Sequence, residues 1–138
     1  MRRARQIALL AFYIGALGLS TAQAQDLNGE RRSLTFIGFQ QYSDASRVFI
    51  RTNEAVKFRV DDSKQDAILV TLENTSPDVV NHLNHLDTRY FNSPVTFIQP
   101  RLIEGASPSI EIEIRLRNRV PYETLQNDNF VAIDFQRR

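Results

Sequence analysis

Ser109–Arg117 reads SIEIEIRLR. Ile110, Ile112, Ile114 and Leu116 alternate there with Glu111, Glu113, Arg115 and Arg117. Side chains of a strand point to opposite faces with period two, so this run predicts a strand buried on one side and wet on the other. On a helix the same four apolar residues would spread round the axis and bury nothing cleanly. Two further runs follow, Val120–Thr124 and Phe130–Phe135, the second with Val131, Ile133 and Phe135 on one face. Asn118-Arg119 and Gln126–Asn129 separate the runs with residues that tolerate tight turns. The expectation is a three-stranded antiparallel meander at the end of the chain.

The same pattern occurs earlier. Ile50–Phe58 (IRTNEAVKF) lies over Ile114–Tyr122 (IRLRNRVPY) without a gap, and Ala67–Leu72 (AILVTL) lies over Phe130–Phe135 (FVAIDF). Upstream, Leu34-Thr35-Phe36-Ile37 matches Val95-Thr96-Phe97-Ile98. Each half therefore reads as an entry strand plus a meander. The fold class that follows is all-β, a β-sandwich of two pseudo-symmetric four-stranded antiparallel sheets. In the first half the strands are expected at Ser33–Gln40, Arg47–Thr52, Val56–Val60 and Ala67–Glu73. Glu73–Asn92 joins the halves. Ser76-Pro77-Asp78 there has the form of a helix start, with an N-cap hydroxyl, Pro at the first position and an acid near the positive dipole end. Pro100–Pro108 reads as the long loop of the second half.

Residues 1–24 read as a signal peptide: Arg2, Arg3 and Arg5, then the apolar run Ile7–Leu19, then the small-x-small Ala22-Gln23-Ala24. The apolar run is shorter than the ~20 residues that span a bilayer; an uncleaved anchor is the alternative. Residues 25–32 read as a flexible leader and 33–138 as one domain, placed in the periplasm. Loss of the three signal arginines reduces 17 basic residues to 14, against 16 acidic, for a net charge of −2. Nothing in that balance points to nucleic acid, and no stable membrane span is expected after cleavage. Cysteine is absent, so lipidation is excluded and the exported domain has to hold by packing alone.

Together these features resemble the AMIN domain, a small all-β module of periplasmic N-acetylmuramoyl-L-alanine amidases and type IV pilus secretins. The likeness is carried by Arg47–Arg51 (RVFIR) with Val56-Lys57-Phe58, by Leu86–Val95 (LDTRYFNSPV), and by Val120-Pro121-Tyr122 with Val131–Phe135 (VAIDF). It covers about Ser33–Phe135. The resemblance implies two symmetric sheets packed as a sandwich and a non-catalytic role, directing proteins to peptidoglycan or to envelope assemblies. In those relatives the module is attached to an amidase or a secretin. Here the sequence runs to Arg138, just past the last apolar strand, so the expected role is that of a module without attached cargo.

No catalytic residues, metal ligands or cofactors are expected. His82 and His85 stand three apart near Asp78 and Asp87, which would put two imidazoles on one helical face. No third or fourth ligand follows in a recognisable spacing, and a solvated connector is the expectation. The outward positions of the first half are more informative: Arg47, Phe49, Arg51, Lys57 and Arg59, four cations around one aromatic. Arginine forks match carboxylates, and a Phe ring matches the apolar face of a sugar, so peptidoglycan is the expected ligand of this surface. The alternative is plain charged strand surface that resists aggregation. The equivalent face of the second half, Glu111, Glu113, Arg115, Arg117 and Glu123, is mixed in sign and reads as solvated. A second possibility is a protein partner, a secretin, pilus or amidase envelope protein. It would dock on Arg89, Tyr90 and Phe91 beside the Phe97-Ile98 strand, since Tyr, Phe and Arg favour interfaces. Phe91 and Phe97 closing the bottom of the core is the competing account.

Overall fold

The computed structural model describes residues 31–137. The expected signal peptide, and the leader as far as Glu30, lie outside the described residues. Ten strands follow: β1 (Arg32–Gln41), β2 (Ala45–Thr52), β3 (Phe58–Asp61), β4 (Ala67–Leu72), β5 (Thr75–Pro77), β6 (Leu86–Asp87), β7 (Val95–Ile103), β8 (Ser109–Leu116), β9 (Tyr122–Asn127) and β10 (Phe130–Gln136). One 3-10 turn, Val80–Leu83, sits between β5 and β6. Among the described residues no helix is long and apolar enough to cross a membrane.

The protein is all-β, and its strands form two sheets of five, not the expected four. Sheet A has the order β5-β1-β2-β10-β9 and sheet B the order β3-β4-β8-β7-β6. The fifth strand of each comes from the segment between the halves. β5 lies parallel to β1, and the two residues of β6 lie antiparallel to β7. The expected helix start at Ser76-Pro77-Asp78 is therefore a strand end, and the 3-10 turn begins later, behind an extended Val79 with no side-chain cap. Leu34 draws the segment into the sheet by accepting from the Asp78 N–H (3.0 Å). Pro100 lies in β7 rather than opening a loop, buried opposite Ile112. β6 pairs only with Phe97 and Ile98, so beyond them no described strand bonds β7 on that side and proline's missing N–H removes no ladder bond.

Neither half forms a meander. β8 pairs with β7 and β4, and β9 pairs with β10 in the other sheet, so residues 117–121 cross between sheets. Residues 53–57 make the same crossing from β2 to β3. Val56 and Val120 hold these crossings by burying their side chains in the core.

The duplication read from the sequence is present residue by residue. Ile50 pairs with Ile37 and Val131, and its counterpart Ile114 pairs with Ile98 and Ile68. The registers of β1 and β7 slip at the same place, between Leu34 and Phe36 and between Val95 and Phe97. Backbone bonds outside the ladders repeat as well. Thr52 N–H donates to Asn129 (3.0 Å) as Leu116 N–H does to Asp66 (2.8 Å), and Asn53 to Ser33 (2.9 Å) as Arg117 to Pro94 (2.7 Å). Glu73 donates to Lys57 (2.9 Å) as Gln136 does to Pro121 (3.0 Å). Each copy thus gives its first two strands to one sheet and its last two to the other. The inward rows of both sheets join one buried cluster, with Val48, Ile50, Val131, Ile133 and Phe135 from sheet A and Ile68, Val70, Ile110, Ile112 and Ile114 from sheet B. Each such side chain contributes about 1.5–3 kcal/mol of burial.

Candidate functional site on the outer face of sheet A

The exchange of strands decides which outward residues meet. Arg47, Phe49 and Arg51 alternate with the buried Ser46, Val48, Ile50 and Thr52 on β2, so they share the outer face of sheet A. Lys57 lies in the crossing segment, and Arg59 lies on β3, at the far edge of sheet B, where it pairs with Glu73 at 2.9 Å. The five residues do not form one patch. Sequence adjacency suggested neighbouring strands, but the chain changes sheets between Arg51 and Arg59.

What β2 acquires instead is β10. Across sheet A three rows run over β1, β2, β10 and β9: Phe36–Arg51–Phe130–Asn127, Gly38–Phe49–Ala132–Leu125 and Gln40–Arg47–Asp134–Glu123. Phe49 lies at the centre, with ring centroids 5.7 Å from Phe36 and 5.9 Å from Phe130. A Cβ on Gly38 would collide with the rings of both Phe49 and Phe36, so glycine is what lets them lie flat over β1. Ala132 leaves the same room on β10. Phe36 stays 46% exposed and Leu125 42%. The result is an aromatic floor open to solvent, with offset rings in their favoured spacing.

Two arginines border this floor differently. Arg47 forks onto Asp134, Nε to Oδ1 at 2.7 Å and Nη2 to Oδ2 at 2.9 Å, and also lies over the Tyr42 ring at 5.2 Å. The hydrogen bond to Asp134 raises its pKa above the ordinary value, and its charge is committed to that carboxylate. Arg51 is exposed, with its guanidinium 5.4 Å above the Phe130 ring and no ion pair among the described residues. Beyond Arg47 the face runs into an open groove of about 820 Å³ bordered by Tyr42, Pro121, Glu123 and Arg137.

Sequence alternation already put Phe130 opposite the inward Val131, Ile133 and Phe135. What it lacked was the pairing of the last strand with the second, which no local pattern encodes. Gly38, Phe36 and Leu125 were missed for the same reason.

The other candidate residues lie elsewhere. Arg89 is bonded to Asp87 through Nε at 2.9 Å and Nη2 at 2.7 Å, which lowers the Asp87 pKa to about 2. Tyr90 is 91% exposed, and Phe91 is 48% exposed with its ring 5.2 Å from Phe39. Their turn is anchored from beneath: Thr88 Oγ1 donates to Val95 O (2.7 Å) and Ser93 Oγ to Ser46 Oγ (2.8 Å). The backbone of Phe97 and Ile98 is not a free edge, because β6 pairs with it. Nor does Phe97 close the core: it faces outward between the His85 ring (4.8 Å) and Arg115 (4.7 Å). Ile98 is the buried member. His82 bonds Asp78 at 2.5 Å while His85 stacks on Phe97, so the two imidazoles serve different contacts. Among the described residues no group of three or more His, Asp or Glu is placed to hold a metal ion.

Comparison with models of protein families finds none that matches this chain, and comparison with curated proteins finds no match either.

Proposed function

We propose that this chain is an exported, non-catalytic, AMIN-like β-sandwich module that binds peptidoglycan through the outer face of sheet A. The observation that carries this is Arg51, an exposed cation with no carboxylate partner among the described residues, standing beside an aromatic floor. Peptidoglycan presents both complements: sugar rings with apolar faces for Phe36, Phe49 and Phe130, and peptide carboxylates for the Arg51 fork. The duplicated strands and the shared buried cluster support the sandwich and the AMIN resemblance. The signal-like residues 1–24 support a periplasmic location.

The test is co-sedimentation of the purified protein with isolated sacculi. Replacing Phe49 and Arg51 together (Phe49→Ser, Arg51→Ala) is expected to weaken retention by tenfold or more, about 1.4 kcal/mol. Arg115→Ala, at the matching position of sheet B, leaves retention unchanged. Equal retention of both variants and the parent would remove this face from consideration.

A second reading, an accessory subunit of a secretin, pilus or amidase machine, is favoured by the exposed Tyr90-Phe91 turn and its rigid anchorage. Cross-linking in envelope extracts separates the two. A stoichiometric protein partner lost on Tyr90→Ala, without sacculus affinity, supports the subunit.

A further inference from the structure

Each sheet has two edges, and three of the four are blunted. β5 has three residues and ends in Pro77, β6 has two, and β3 has four with Arg59 and Asp61 on it. Short length, Pro and charge are how edge strands avoid pairing with other chains. β9 is different. Its six residues, YETLQN, contain no Pro and a single charge, Glu123 near one end, and all but Tyr122 are exposed.

The hydrogen-bond phase of β9 follows from one bond. Gln136 N–H donates to Pro121 O at 3.0 Å, so the pair 121–136 belongs to the bonded set. Bonded pairs alternate along an antiparallel ladder, so Glu123–Asp134, Leu125–Ala132 and Asn127–Phe130 are bonded too. The N–H and C=O groups of Thr124 and Gln126 therefore point away from the sheet. The Gln126 side chain is engaged separately, its Nε2 donating to Val56 O at 2.6 Å.

We infer that β9 pairs antiparallel with β9 of a second copy of this chain, about a two-fold axis at Leu125. The sequence of the strand is self-complementary in that register. Thr124 bonds Gln126′ and Gln126 bonds Thr124′ (the prime marks the second copy). Leu125 meets Leu125′ in the closer, non-bonded kind of pair, and Glu123 meets Asn127′, so no like charges face each other. The exposed Leu125 is covered, and the row Gly38–Phe49–Ala132–Leu125 continues into its own copy as one apolar stripe. The register centred on Thr124 needs the Tyr122 backbone and sets Glu123 against Leu125′, and the one centred on Glu123 sets that carboxylate against its own copy. Tyr122 is already held at this corner: its hydroxyl donates to Asp62 Oδ2 at 2.9 Å, and Arg119 bonds the same loop at Lys64 and Asp62. The interface does not depend on the ligand assigned to the outer face.

Sedimentation equilibrium of the purified protein tests it, with a concentration-dependent dimer expected. Thr124→Pro removes an outward N–H at a position where an edge strand tolerates proline, and is expected to leave a folded monomer by circular dichroism. Leu125→Cys introduces the chain's sole thiol. Across a non-bonded pair the Cα atoms stand about 4.5 Å apart, within disulfide reach, so air oxidation should link two chains. Glu123→Cys, about 14 Å from its own copy at ~3.4 Å per residue, should not. A monomer at every concentration, a dimer unmoved by Thr124→Pro, or Glu123→Cys linking as fast as Leu125→Cys would overturn the assignment.

Discussion

The outer faces of the two sheets stand on the same backbone and carry different chemistry. β2 and β8 have the same sequence of buried and exposed positions, residue for residue. Where sheet A places Gly38–Phe49–Ala132–Leu125, sheet B places Gln99–Glu113–Leu69–Asp61. One row further on, Gln40–Arg47–Asp134–Glu123 stands where sheet B has Arg101–Glu111–Thr71–Arg59. The Arg51 position is occupied by Arg115, stacked on Phe97 as Arg51 is on Phe130, but Glu113 lies 3.6 Å from Arg115 and shares its charge. Inward positions keep their apolar character because both copies fill one core. Outward positions are free of that constraint, so they separate. A patch on one face with no counterpart on the other is a feature that the shared fold does not require, and for that reason the aromatic floor of sheet A is the face we assign to ligand.

The comparison breaks most easily in the core. Ile50 and Ile114 are equivalent and fully buried. Ile50→Ala and Ile114→Ala are each expected to cost about 2–5 kcal/mol, by lost burial and the cavity left behind. Urea unfolding should place the two within about 1 kcal/mol of each other, and a much larger gap would mean that the halves do not share the core equally. Gly38→Ala sharpens the contrast between faces. Its methyl displaces the Phe36 and Phe49 rings, for about 1–2 kcal/mol of overpacking, whereas Gln99→Ala in the matching place stays within about 0.5 kcal/mol. Equal losses would show that the rings are not seated on Gly38. The smallest effect concerns ion pairs. Arg47–Asp134 is bidentate and partly shielded, with side chains 26% and 21% exposed, while Arg101–Glu111 is 54% and 24% exposed. A double-mutant cycle on the first pair should give about 1 kcal/mol and on the second about half that or less. A reversal of that order would argue against Asp134 as the anchor of Arg47.

Much of the scaffold was legible because strand alternation is local. SIEIEIRLR predicts which way Ile112 and Glu113 point, and the turn expected at Gln126–Asn129 narrows to Asp128-Asn129, because Gln126 and Asn127 belong to β9; Asp128 accepts the left-handed backbone there, with φ of 54°. The expectation failed where a strand's partner lies far along the chain. A hairpin and a crossing between sheets look alike over a few residues: Asn118-Arg119 reads as a turn and Val56-Lys57 as the start of a strand, and both lie in corners between the sheets. The linker failed for another reason. Ser76-Pro77 has helix-start chemistry, but the uncovered edge of β1 offers its backbone more hydrogen bonds than an isolated turn would.

By itself, then, the sequence determined the strand periodicity, the tandem duplication and the identity of the buried residues, since each depends on spacing within a few residues or on comparing one stretch with another. Only the tertiary structure decided that the copies exchange strands. Pairing of β2 with β10 closes a long stretch of chain, and its free energy comes from the common core rather than from either strand. That exchange brings Phe130 beside Phe49 and Arg51, sends Arg59 to the other sheet, and leaves β9 as the long unguarded edge.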